Sequence, residues 1–244
     1  MATHIQGADG GESGQDATTQ TVVLNGVTAG NLIVVWVSWC NYDRTISVSD
    51  GTTTLTAGTK VWNPNQAGQF FYLLSANSGN RTYTATWPGG VVDFISMRVS
   101  EYNASGAWTF DAQNVGSGNS TSLLSGSINT TGTDEVVESG MSGFGAVTIT
   151  SQQINSVNAT IPAYSGTNVQ IGYRLLNSTF SSGTATASVS SCVWVCNIIA
   201  FKAAAGGSAA LSGTATASIT EADVVAGGKT IIITLTGDTF IAAG

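Results

Sequence analysis

The chain has 244 residues, a formal net charge of −7 and a pI near 4.3, and only 9% of its residues are charged, against roughly 25% in ordinary soluble domains. Its seven basic residues, Arg44, Lys60, Arg81, Arg98, Arg174, Lys202 and Lys229, stand singly, so no basic stripe neutralises phosphates and nucleic acid is not expected as a partner. No run approaches the about 18 apolar residues of a membrane span, so no membrane span is expected either.

Taken in chain order, the sequence opens on Met1-Ala2-Thr3-His4-Ile5-Gln6-Gly7, which lacks the basic and apolar regions of a secretory signal. Either a signal was removed, or the protein is made in the cytoplasm. Residues 1–16, with Gly7, Asp9, Gly10, Gly11, Glu12, Gly14 and Asp16, read as an N-terminal arm. Thr18 to Leu24 alternates as a strand and Asn25-Gly26 turns the chain. Asn31 to Cys40 is the most hydrophobic run and predicts a central strand with Trp36 and Trp39 on opposite faces. Shorter strands are expected at 45–49, 60–62, 69–75 and 81–87, separated by turn-forming Asn, Pro and Gly. Val91 to Tyr102 is a second long apolar strand. Further strands are expected at 120–128, 135–144, 169–176, 184–190 and 192–202. No helical apolar stripe longer than two turns occurs. Around ten strands with turns every 8–12 residues or so predict an all-β, antiparallel β-sandwich over 17–204, with the 31–40, 91–102 and 192–202 strands central.

The strand order carries a resemblance. Val27-Thr28-Ala29-Gly30-Asn31-Leu32-Ile33-Val34-Val35 is followed by Asp50-Gly51, then Phe70-Phe71-Tyr72 and Tyr83-Thr84-Ala85-Thr86. Val99-Ser100-Glu101-Tyr102, Phe110-Asp111, Thr184-Ala185-Thr186-Ala187 and Trp194 to Lys202 complete the pattern. Over residues 4–203 it resembles a sandwich domain that recurs in bacterial extracellular proteins and phage structural proteins. That resemblance implies a jelly-roll-like fold without an assigned active site. After a linker at 205–208, residues 213–236 resemble the opening strands of a β module of phage-derived and metagenomic surface proteins.

Chemistry is sparse. His4 is the single histidine and sits in the polar arm, where no scaffold would hold it for a nucleophile–base pair. Glu101 with Asp93 or Asp111 could be nominated as paired acids, but Asp93 and Glu101 would lie about 26 Å apart along one strand, and strand-end carboxylates are the plainer reading. Asp9, Glu12 and Asp16 could wrap calcium, yet their spacing matches no EF-hand loop and a mobile acidic arm is preferred. Catalytic residues, cofactors and metals are therefore expected to be none. Cys192 and Cys196 lie four apart on one strand, about 13 Å and too far for a mutual disulfide. A bridge from Cys40 to Cys192 or Cys196 stays open, beside the reading of three small buried hydrophobes. Trp36, Trp39 and Trp194 belong to apolar strands and are expected in the core. Trp62, Trp87 and Trp108 adjoin turns and are the candidates for contact with a subunit or a surface glycan.

Residues 209–244 hold the strand-like run Lys229 to Thr236, with Ile231, Ile233 and Leu235 on one face and Ile232 on the other. Such an extension cannot bury its apolar side alone, so it is expected to pair with another subunit. The chain as a whole reads as a non-enzymatic structural subunit of a multimeric assembly. A phage virion surface protein (decoration, fibre or tail) comes first; an extracellular filament subunit or a carbohydrate-binding or adhesive module is the alternative. Its partners would be copies of itself and other proteins of the same assembly, with a surface glycan as a further candidate. Its place would be the virion surface or the extracellular space.

Overall fold

Every residue of β3 (Leu32–Cys40) is buried, which a strand can achieve only when both of its faces are covered. In the computed structural model, which describes residues 1–204 apart from 89, 165 and 167, Ile33, Val35, Val37 and Trp39 enter one core while Leu32, Val34 and Trp36 enter another. The strand lies in a central sheet of order β1-β9-β3-β7-β5, in which β1 is Thr3–Glu12, β5 Thr56–Ala57, β7 Gln66–Leu73 and β9 Asp93–Asn103; β6 (Val61–Asn63) also pairs β7. All pairings are antiparallel.

One face of this sheet is covered by a three-stranded sheet of β2 (Thr19–Val27), β8 (Gly79–Thr86) and β4 (Ser47–Ser49). Val22, Leu24, Val48, Tyr83 and Ala85 come from it into the first core. The other face meets a six-stranded sheet of order β13-β12-β15-β11-β14, with β10 on the second side of β15. Here β10 is Trp108–Leu124, β11 Glu135–Gly143, β12 Thr150–Ile154, β13 Val157–Asn158, β14 Val169–Leu176 and β15 Ala185–Ala203. Val195, Ile199 and Phe201 of β15 face the central sheet, whereas Trp194, Cys196, Ile198 and Ala200 face away into a third core.

That third core has no separate covering sheet. The six-stranded sheet rolls around it: a bridge from Thr160 to Tyr173 joins the segment after β13 back to β14. The Cys196 thiol comes within 3.8 Å of the Ala185 carbonyl of the same strand. Residues eleven apart in a straight strand would be about 36 Å apart, so β15 bends double. The architecture is thus all-β, antiparallel and sandwich-like, with three layers where a sandwich of two sheets was expected. No helix occurs among the described residues.

The N-terminal arm expected at 1–16 is corrected. Thr3–Glu12 is a strand at the edge of the central sheet, running from Thr3↔Asn103 to Glu12↔Ser96. Its glycines serve close packing: a Cβ on Gly7 would overlap the Tyr164 ring, and one on Gly10 would press on the Thr21 carbonyl. β10 begins at Trp108 rather than at 120, and the strands expected at 184–190 and 192–202 are one. The linker at 205–208 and the extension at 209–244, with Ile231, Ile232, Ile233 and Leu235, lie outside the described residues.

Glycine also sets the spacing between layers. Trp36 projects from the central sheet and is fully buried between Gly68 of β7 and Gly140 of β11, where a Cβ on either glycine would overlap the indole. Gly140→Ala is therefore expected to destabilise the fold by about 1–3 kcal/mol, as over-packing of a tight core does. Gly14→Ala, facing open space, should stay within about 0.5 kcal/mol of the parent. Urea unfolding of both variants checks the contrast.

Candidate functional site

The central sheet turns a polar row toward the rolled sheet: Ser96, Arg98 and Ser100 of β9 are buried there, followed by Tyr102. Opposite them Glu138 of β11 is 1% exposed. Its carboxyl accepts hydrogen bonds from Tyr102 Oη at 2.7 Å and Ser100 Oγ at 3.4 Å. Ser100 Oγ is 3.1 Å from Tyr164 Oη, which is 2.9 Å from His4 Nε2. His4 stacks on Tyr173 with centroids 4.8 Å apart and meets the edge of Tyr102. A continuous hydrogen-bonded chain thus runs from half-buried His4 to the Glu138 carboxyl. Burial lowers the His4 pKa against the opposing pull of Glu101, and burial raises Glu138 to about 8 against the hydrogen bonds from Tyr102 and Ser100. An acid placed there fastens two layers together; a substrate would reach it only if the layers parted.

A pair of acids lies across the rolled sheet. Asp111 of β10 accepts from Thr131 and pairs with Lys202 of β15 at 2.9 Å, while Glu135 of β11 accepts from the Gly132 and Thr131 amides. Burial, with Asp111 alongside, raises Glu135 to about 7. The two carboxyls both accept from the Thr131 amide, and Glu135 Oε2, buried, has no hydrogen-bond partner among the described residues.

The carboxylates considered from sequence are separately engaged. Asp93 accepts from the Asp16 amide at 2.9 Å and Asn41 Nδ2 at 2.6 Å. Glu101 accepts from Gln6, Asn31 and the Thr28 amide. Asp9 pairs with buried Arg98, and Glu12 accepts from Asn168. No group of three or more His, Cys, Asp or Glu able to hold a metal ion occurs among the described residues, and no helix among them is long and apolar enough to cross a membrane.

One open alternative is excluded and one expectation is overturned. The bridge from Cys40 to Cys192 or Cys196 does not form: all three thiols are free. β3 neighbours β9 and β7, not β15, and Cys192 and Cys196 pack on the core beyond the rolled sheet. Nor do Trp87 and Trp108 offer a contact surface, being 2% and 4% exposed; Trp62 is half-buried against the first core. Turn-adjacent indoles fold inward because each core ends where a strand ends. Trp36, Trp39 and Trp194 are buried as expected.

A concave site lined by aromatic and polar side chains lies elsewhere, at the end of the seam between the central and rolled sheets. A cavity of about 360 Å³ opens between the start of β9 and the loop after β11. Cys40, Gln66 and Ser142 form its base, linked from the thiol to Gln66 Oε1 at 3.4 Å and from Gln66 Nε2 to Ser142 Oγ at 2.8 Å. Phe94 and Phe144 line it, each 36% exposed, with Glu12 and Asn168 beside them. Burial, then the nearby Glu12 and Asp93 carboxylates, push the Cys40 thiol up to about 12, so it is no nucleophile at neutral pH.

Phe94 holds a φ of +51°, a left-handed backbone costing of order 1–3 kcal/mol for a bulky residue. Its neighbours enforce it: the Phe94 amide donates to the Gly14 carbonyl, Ser13 Oγ accepts from the Ile95 amide, and Asp93 is held as described. The pairing of β3 with β9 also shifts register here, between Ser38 and Cys40. Such irregularities re-aim a side chain, and here the ring lines the cavity. Sequence reasoning missed Phe94 because it stands inside an apolar run. Phe144 carried a signal, an aromatic flanked by Gly143 and Gly145. No family model matches this chain, and no curated protein matches it by sequence.

Two outcomes follow. Glu138 has a folded-state pKa above its ordinary 4.5, so its contribution to stability is full below pH 4.5 and is lost as pH rises toward 8. Relative to the parent, Glu138→Gln should flatten the decline in unfolding free energy between pH 5 and 8; parallel curves would show no linkage. Alkylation of the denatured protein without reduction should label all three cysteines, and one labelled cysteine would mean that a bridge exists.

Proposed function

We propose that this chain is a non-enzymatic structural subunit of a multimeric assembly, a phage virion surface protein in the first instance. The observation that carries the reading is the charge-poor layer that the rolled sheet presents. Between Asp111 and Lys202 the chain contains only Asp134, Glu135, Glu138 and Arg174 as charged residues, and Glu135 and Glu138 are buried. Lys202 and Arg174 apart, the surface of that layer is therefore poor in the lysines and glutamates with which sheets ordinarily resist edge-to-edge and face-to-face association. β10 shows the pattern beyond Asp111: Ser117, Asn119 and Thr121 are exposed and uncharged. A surface of this kind suits a protein whose neighbours cover it. The resemblance of residues 4–203 to a sandwich domain of bacterial extracellular and phage structural proteins fits either setting. The resemblance of residues 213–236 to a module of phage-derived and metagenomic surface proteins is what puts a virion first.

The test places charge where the layer has none. The full chain should sediment as a multimer. The triple variant Ser117→Lys, Asn119→Lys, Thr121→Lys should sediment as a monomer with its melting temperature preserved, because isolated surface substitutions rarely exceed about 0.5 kcal/mol each. A parent that is monomeric at all concentrations, or a variant that assembles as the parent does, would overturn the proposal.

A further inference from the structure

We propose that the cleft between Phe94 and Phe144 binds a neutral sugar residue. This does not depend on the assembly reading, and either can fail without the other. The volume of about 360 Å³ falls in the range of small-molecule sites and suits a single ring. Two aromatic side chains line it and remain 36% exposed, although the same chain buries Trp36, Trp39, Phe70, Phe71 and Phe201 completely or nearly so. The structure also maintains a strained backbone at one of these rings, with three separate hydrogen-bonding groups around Phe94 holding the left-handed turn. Strain that the surroundings enforce points to a function for the ring it positions.

The polar groups select the ligand class. Ser142 is 1% exposed, and its oxygen accepts from Gln66, which leaves its hydroxyl hydrogen to give. Glu12 supplies a carboxylate acceptor at the side, and Asn168, whose amide nitrogen donates to Glu12, adds a polar side chain beside it. Vicinal hydroxyls both donate and accept, and so match this set. The C–H face of a pyranose matches the negative faces of aromatic rings. An anionic ligand would meet Glu12 with Asp93 behind it, both close enough to act on the Cys40 thiol. A purely apolar ligand would desolvate Glu12 and Ser142 without replacing their hydrogen bonds.

The experiment is saturation-transfer NMR on the full chain. The probes are the methyl glycosides of glucose, galactose, mannose and N-acetylglucosamine, with benzyl alcohol and glucose 6-phosphate as apolar and anionic controls. At least one glycoside should bind. Phe144→Ala and Glu12→Gln should each weaken it about tenfold, the scale of one aromatic or hydrogen-bonding contact. Phe94→Gly should do the same while the melting temperature holds or rises, because glycine adopts a φ of +51° freely. That combination separates loss of the ring from loss of the fold. Absence of glycoside binding would overturn the proposal. So would binding of benzyl alcohol or glucose 6-phosphate in preference to every glycoside, or glycoside binding unchanged in all three variants.

Discussion

Burial of the central sheet on both faces is the constraint on which the rest of the structure depends. A sheet covered on one side can alternate apolar and polar residues, but β3 has no polar face to give. Trp36 makes this demand most sharply. Its indole needs Gly68 beneath it and Gly140 opposite, so one side chain fixes how closely the rolled sheet approaches. The register of β11 on β15 follows, since Gly140 must sit opposite Asn197 for the indole to fit. On the other face Trp39 meets Trp87 edge-on at 5.9 Å and closes the end of the first core.

The seam between the central and rolled sheets is not uniformly apolar. Around Trp36 it is dry packing of Val34, Phe70, Val195 and Phe201. Along β9 it becomes the chain of hydrogen bonds from His4 to Glu138. Buried polar networks of this kind favour one alignment of the layers over others, because any slip leaves groups unpaired. They also leave the seam sensitive to protonation, whereas the first core holds only side chains that do not titrate near neutral pH. At the far end the seam widens into the Phe94 cleft. Packing, network and cavity are thus three successive states of one interface.

The strands were legible where sequence and burial agree. The run from Asn31 to Cys40 and the stretch from Val169 to Leu176 are found almost as read, because an apolar strand between turn residues has few alternatives. β1 was hidden, since glycines that ordinarily mark flexible chain are here used for close approach to Tyr164 and Thr21. The part of β10 before Ser120 was hidden for the opposite reason: at its middle Gly116, Ser117, Gly118 and Asn119 carry no apolar pattern, and their pairing with β15 supplies the stability that their own side chains do not. The site was less legible still. Phe94 becomes visible only through its backbone angle. Glu138 stood in an apolar run with nothing in the sequence to show that Tyr102 and Ser100, some forty residues away, would complete its hydrogen bonds. Trp87 and Trp108 misled because proximity to a turn was read as exposure.

The proposed assembly role draws on the charge-poor rolled layer, and the proposed sugar site on the aromatic cleft at the end of the seam. All of this rests on the central sheet being the most stable part of the molecule, and native-state hydrogen exchange tests that most directly. The amides of Val34 to Val37 and Met97 to Val99 should exchange only through global unfolding, with the free energy measured by denaturant. Exchange of these amides through a smaller opening than those of β2 or β10 would contradict the account.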